Sequence, residues 1–261
     1  MQSLRRVWIG VALVAVVIVV AVVLLPRSVE WRKLVRRLSG EKTVAQRLKQ
    51  YGPAARKRMA PAFREAGVKY PPVKVVMLVL KQEKRLELYA SDGGKLRCVK
   101  TYPVLAASGH AGPKLREGDR QVPEGVYRIE SLNPNSLWHL SLRLDYPNEF
   151  DRAIAAKDGR TKLGGDIMIH GYCVSIGCVA VGDQASEDLF VLAADVGKDN
   201  CKVVIAPRDF RVHAPGRVAA GLPAWTGELY KQVAREMRGL RQGEATGSPT
   251  TLHGRESGES F

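Results

Sequence analysis

Cysteine is scarce in this chain, and what it lacks narrows the field before any motif is considered. Four cysteines in 261 residues (Cys98, Cys173, Cys178 and Cys201) are too few for a disulfide-built scaffold of this length. No two form a C-x-x-C pair, so a redox pair is not expected, and the spacing His170-x2-Cys173-x4-Cys178 lacks the paired short intervals of structural zinc. A zinc site completed by His110, or a Cys173–Cys178 disulfide, stays as the weaker reading beside an expectation of no metal and no cofactor. Cys98 (KLRCVKTY) and Cys201 (CKVVIA) sit in strand-like runs and read as buried strand residues, with a Cys98–Cys201 bridge as the alternative in an oxidising compartment. There is no internal repeat, which excludes a solenoid.

Acidic residues are scarce where basic ones crowd. The net charge is +15, yet residues 27–69 hold 13 Lys/Arg against 3 Asp/Glu, and residues 70–261 account for only +3. A nucleic-acid enzyme carries its basic surface on the folded domain, so nucleic acid is excluded as a partner. A basic stretch beside a membrane meets anionic lipid or is simply solvated.

The one long apolar run is Val7 to Leu25 (VWIGVALVAVVIVVAVVLL), 19 residues. At about 1.5 Å per residue it nearly matches a hydrocarbon core of roughly 30 Å. The run ends Val23-Leu24-Leu25-Pro26 without a small-residue cleavage site, so it reads as an uncleaved anchor over residues 1–26. Positive residues after the run outnumber Arg5 and Arg6 before it, which by charge alone favours a cytoplasmic body. Long following domains cross largely regardless of that count, and the chemistry below puts the body outside the cytoplasmic membrane.

Residues 27–70 read as a basic helical neck, with helical spacing over Trp31–Leu38, Lys42–Tyr51 and Ala54–Glu65 and a break at Gly52-Pro53. Residues 71–210 change character. VKVVMLVLK and RLELYAS, then Asp92-Gly93-Gly94 and KLRCVKTYPVLAAS, predict strands around a tight turn, and GVYRIESL and LWHLSLRL predict two more. Short helices are expected at Glu149–Lys157 and at Gln184–Val196, the latter capped by Asp183 and stopped by Gly197, with strands at Asp166–His170 and CKVVIAP. The fold class is therefore mainly β with peripheral helices (α+β), a twisted sheet or closed β-sandwich rather than a βαβ repeat. Residues 211–261 offer one amphipathic helix, Trp225–Leu240, before a Gly/Ser/Thr/Glu-rich tail expected to be disordered.

The densest chemistry is GGDIMIHGYCVSIGCVAVGD, residues 164–183. His170 follows a strand, and the loop from Gly171 to Gly177 can return Cys178 towards it, the layout of a nucleophile and its base. A thiol of ordinary pKa about 8.5 is only a few per cent thiolate at neutral pH, and an imidazole overcomes this by taking the proton. Gly177 lets backbone approach a substrate, and its N–H with that of Cys178 is a candidate oxyanion site. His110 lies in a Gly-rich loop that can border a cleft, His139 alternates with apolar residues, and Tyr146 closes a turn; each is a candidate substrate contact. Asp119 and Glu124 read as turn chemistry.

IMIHG followed by Ser175-Ile176-Gly177-Cys178-Val179 resembles the signature of the YkuD-type L,D-transpeptidase catalytic domain. GPKLREGDRQVPEGVYRIESLNPNS, HLSLRLDYPNEFDR and even AFREAGVKYPP are similar to its YafK-like branch, so the resemblance covers roughly residues 70–210. It implies a β-sandwich catalytic domain, with Cys178 as nucleophile, His170 as base, and Ser175 and Gly177 shaping the turn. The implied reaction is attack at the L-centre of a diamino acid in a peptidoglycan stem peptide, giving a thioester that passes to an amine or to water. An envelope protein is then a candidate acceptor or released partner, and a non-catalytic peptidoglycan-binding module is the alternative. Two positions depart from the wider family, Ile176 where most members have His and Ala180 where most have Arg.

Overall fold

The computed structural model describes residues 40–216 and 218–240, so the apolar run Val7–Leu25, the Trp31–Leu38 stretch and the tail beyond residue 240 lie outside the described residues. Among the described residues no helix is long and apolar enough to cross a membrane.

Helix α1 spans Val44–Glu65 and is started by a capping box, in which Thr43 Oγ accepts from Gln46 N–H (3.2 Å) and Gln46 Oε1 accepts from Thr43 N–H (2.9 Å). The expected break at Gly52-Pro53 is absent, and one helix runs through both Pro53 and Pro61. An interior proline costs about 3 kcal/mol. The apolar stripe Val44, Leu48, Tyr51, Ala55, Met59 and Phe63 stays in helical register across the proline, however, and Met59 and Phe63 are fully buried. Two such side chains are worth about 1.5–3 kcal/mol each, so packing outweighs the local break. Arg56 adds a two-pronged pair to Asp195 (2.8 and 2.7 Å), tying α1 to the body.

The strands are β1 (Lys74–Leu80), β2 (Arg85–Ser91), β3 (Arg97–Pro103), β4 (Ala106–Ala107), β5 (Gly125–Ser136), β6 (His139–Leu144), β7 (Met168–His170), β8 (Val179–Ala180) and β9 (Cys201–Ala206). They hydrogen-bond in the single order β3-β2-β1-β9-β5-β6-β7-β8-β4. β5 joins two halves, since its Gly125–Arg128 end pairs with β9 and its Ile129–Ser136 end with β6. The remaining helices are α2 (Glu149–Lys157), α3 (Asp183–Val196) and α4 (Thr226–Arg238). The mainly-β class with peripheral helices is thus what the structure has.

Alternation along β1 assigns its two faces. Val75, Met77 and Val79 enter a core shared with Leu142 of β6, Ile169 of β7, and Leu189, Phe190 and Leu192 of α3. Val76, Leu78 and Leu80 enter a second core covered by Leu229, Val233 and Met237 of α4. The same alternation decides the cysteines. Cys201 belongs to the first core and Cys98 packs on the second, with β2 and β1 between their strands, so the two lie on opposite faces roughly 14 Å apart at about 4.8 Å per strand. All four cysteines are free thiols, and Cys173, read as a packing or disulfide residue, is exposed.

α3 begins one residue earlier than expected. Its cap position is Gly182 at φ 83°, and Asp183, expected as the cap, instead accepts from Tyr172 N–H at 2.7 Å. Gly197 ends the helix as the pattern predicts, at φ 85°.

Candidate functional site

β7 and β8 are only three and two residues long and run parallel, with Ile169 opposite Val179 and His170 opposite Ala180. Cys178 immediately precedes β8, so it stands beside Met168, two positions along from His170 on the neighbouring strand. A strand spacing of about 4.8 Å and a two-residue rise of about 6.6 Å set the two Cα atoms about 8 Å apart, with side chains on one face. The half-buried Cys178 Sγ donates to Asp166 O at 3.5 Å and accepts from Met168 N–H. No hydrogen bond between the thiol and the imidazole occurs among the described contacts.

His170 is 2% exposed, and its Nδ1 lies 2.5 Å from Gly171 O. A carbonyl only accepts, so Nδ1 carries the proton and Nε2 is the basic atom of the neutral ring. Trp138 stacks on this ring (centroids 6.2 Å apart, planes at 30°) and on Tyr172 (5.6 Å, 25°). Burial pushes the His170 pKa below the ordinary imidazole value, against the Gly171 carbonyl and Asp183. Burial pushes the Cys178 thiol up, with the Asp166 carboxylate adding to it, while Met168 N–H and the Lys114 charge pull the other way. Both shifts favour a neutral thiol beside a neutral imidazole at rest.

Ser175 builds the turn that presents the thiol. Its Oγ donates to Cys178 O (2.6 Å) and accepts from Ser108 N–H (3.0 Å) and Gly177 N–H (3.3 Å), locking residues 175–178 to the segment after β4. Gly177 adopts φ 126°, a conformation that L side chains rarely take, so glycine is required by the backbone rather than by crowding. Its N–H, expected to face an oxyanion, is directed at Ser175 instead. Ile176 beside it is 78% exposed, and Ala180, within β8, is fully buried.

The structure brings His170, Ser175, Gly177 and Cys178 together and leaves the other candidates elsewhere. His110 borders a cavity of about 690 Å³, and its Nδ1 meets Ala111 O at 2.9 Å. His139 bonds Glu187 Oε1 through Nε2 (2.9 Å) and sits edge-on to Tyr51 (5.0 Å), bridging α3 and α1. Tyr146 is buried against Tyr127 and lines a separate polar cavity with Arg143 and Glu130. Asp119 accepts from Leu115, Arg116 and Gln121 N–H groups, the turn chemistry expected, whereas Glu124 is a buried anchor for Lys81 (2.9 Å), Tyr230 Oη (2.8 Å) and Gly112 N–H (2.9 Å). Trp138, Asp166 and Ser108 also belong to the surroundings of the pair, outside the motif that marks it in the sequence. Only Trp138, within the LWHLSL run, carried a visible signal.

Residues 74–205 match the family model of the L,D-transpeptidase catalytic domain (YkuD). The chain belongs to this family. YafK of Escherichia coli (strain K12) is 33% identical over 138 residues, covering 51% of this chain and 54% of that protein, so the chain spans about half the length of the curated relatives it matches. Among solved structures, the helical cell shape determining protein Pgp2 from Campylobacter jejuni is 22% identical with a TM-score of 0.42, covering 69% of this chain and 62% of that one. Bd1075 from Bdellovibrio bacteriovorus is 20% identical with a TM-score of 0.38, covering 65% and 58%. Among the described residues no group of His, Cys, Asp and Glu could hold a metal ion.

Proposed function

We propose that the protein is a peptidoglycan acyl-transfer enzyme of L,D-transpeptidase type, with Cys178 as nucleophile and His170 as its base. The observation that carries this reading is the locked His170 tautomer, basic at Nε2, on the same sheet face as a half-buried thiol. Cys178 Sγ attacks the amide carbon at the L-centre of the stem-peptide diamino acid while His170 Nε2 takes the thiol proton. The tetrahedral oxygen is held by Cys178 N–H, since Gly177 N–H is engaged by Ser175. As the C–N bond breaks, His170 returns the proton to the leaving amine and a thioester remains. An incoming amine or water, deprotonated by the same nitrogen, attacks the thioester and restores the thiol, giving a crosslink, a protein attachment or a trimmed peptide. The neutral resting pair makes His170 a general base rather than half of a preformed ion pair.

The same reading places the body outside the cytoplasmic membrane, where the substrate is, with residues 1–26 as the anchor. Mass spectrometry of muropeptides incubated with the protein tests the function. A new linkage or loss of a terminal residue is expected, and is absent with Cys178→Ser; unchanged muropeptides and no acylated protein indicate a binding module instead.

A further inference from the structure

The two walls of the cavity beside His110 both run into the surroundings of the thiol. One wall is the loop 113–121, which includes Lys114, whose charge acts on Cys178, and Gln121, whose carbonyl lies against Gly177. The other is the segment 160–162, which continues to Asp166, the residue whose carbonyl meets Cys178 Sγ. Asp166 lies four positions after Lys162, at most about 14 Å of extended chain. A backbone bond from Glu117 N–H to Lys162 O (2.9 Å) ties the walls together.

The charges of this cavity fall into two groups. Asp119 is consumed locally: burial works against its ionisation, yet Lys114 and three backbone N–H groups hold its carboxyl below the ordinary value. Arg160 is also fixed, with Asp158 (3.2 and 3.1 Å), Leu115 O (3.1 Å) and the face of Trp225 (5.4 Å) as partners. Arg116 and Lys162 differ. Neither side chain has a partner among the described residues, both are exposed, and both line the cavity, one on each of the two segments that the Glu117–Lys162 bond joins. Glu117 leads away towards Gly164 and does not line the space.

From this we infer that the cavity is a carboxylate subsite, in which Arg116 and Lys162 seat the acidic arm of a peptide whose reacting carbonyl lies at Cys178. Its mostly apolar walls, with Pro113 and Leu115, suit the alkyl part of such an arm better than a bare phosphate, and the guanidinium of Arg116 offers the planar fork that a carboxylate fits. The identity of the peptide rests on the peptidoglycan reading; the anion chemistry of the cavity does not.

The test measures binding without turnover, using full-chain Cys178→Ala and two probes: a stem tetrapeptide with free carboxylates and the same peptide fully amidated. Amidation is expected to weaken binding by about tenfold or more, the scale of one charge-assisted hydrogen bond. The double variant Arg116→Gln/Lys162→Gln should lose as much for the free peptide and nothing further on amidation, while Arg116→Lys keeps part of the affinity. Equal binding of the two peptides, an undiminished double variant, or equal competition by inorganic phosphate each overturns the proposal. Since no bond is made in this assay, failure here leaves acyl transfer standing. Retained discrimination with inert muropeptides would sink the catalytic reading alone.

Discussion

The two halves of the sheet are built by different means. In the half formed by β3, β2, β1 and β9, strands are six or seven residues long and β1 and β9 are buried on both faces. Buried charges there are matched: Arg211 bonds Glu87 (2.9 and 3.1 Å) and Asp209 (2.7 Å), Arg85 bonds both acids (2.8 and 3.2 Å), and Tyr89 Oη joins Glu87. In the other half, β7, β8 and β4 are two or three residues long, and Asp166, Tyr172 and Gly177 all take positive φ. Beside the thiol there, the buried His170 is kept neutral. A buried charge with full partners holds a fold together, whereas a buried neutral imidazole that forms no ion pair retains its capacity to take a proton. The half with less regular backbone is thus the one left with reactive chemistry.

The largest effects should separate these halves cleanly. Cys178→Ser is expected to abolish turnover, and His170→Ala to lower it by about 10²–10⁴-fold. The double variant should match Cys178→Ser, because the two groups serve one step. All three should remain folded, with thermal unfolding near wild type for Cys178→Ser and lowered where the buried His170 side chain is removed. Next, Arg211→Met strips Glu87 and Asp209 of a shared cation in the other half. Breaking a buried pair from one side costs about 3–5 kcal/mol, to be read as a lowered urea midpoint, with the labelling rate of Cys178 in the folded protein unchanged. A selective loss of thiol reactivity without loss of stability would refute the division.

A smaller effect sharpens the comparison. With His170 below the ordinary imidazole pKa of about 6.5, the acid limb of kcat/KM should lie below pH 6.5, since protonation removes the base and only the neutral ring is active. Trp138→Ala admits water to the imidazole face, relieves the desolvation that depresses the pKa, and should move that limb upward, with a moderate loss of kcat. An unmoved limb would assign Trp138 to hairpin structure only. Least of all, Cys173→Ser should leave most activity, because that thiol is exposed and lacks a described bond.

Much of the fold was legible because it rests on local chemistry. The Asp92-Gly93-Gly94 turn between β2 and β3, the Glu149–Lys157 helix and the Gly197 stop follow from short-range signals. The break expected at Gly52-Pro53 failed for a non-local reason: burial of Met59 and Phe63 under the body outweighs the proline. Asp183 has the position of a cap, but its carboxylate is used by Tyr172, eleven residues back.

The sequence by itself determined the residue types and the turn that the thiol needs: a His closing a short strand, then Ser175, Gly177 and Cys178, with glycine demanded by a positive φ. Tertiary structure alone decided their electrical state and their company. Which imidazole nitrogen is basic, what shields the ring, and which cations remain unpaired near the thiol depend on contacts between segments far apart in the chain. Trp138 reaches His170 across 32 positions and Ser108 reaches Ser175 across 67. Desolvation and charge pairing are set by three-dimensional surroundings, and no local pattern of residues encodes them.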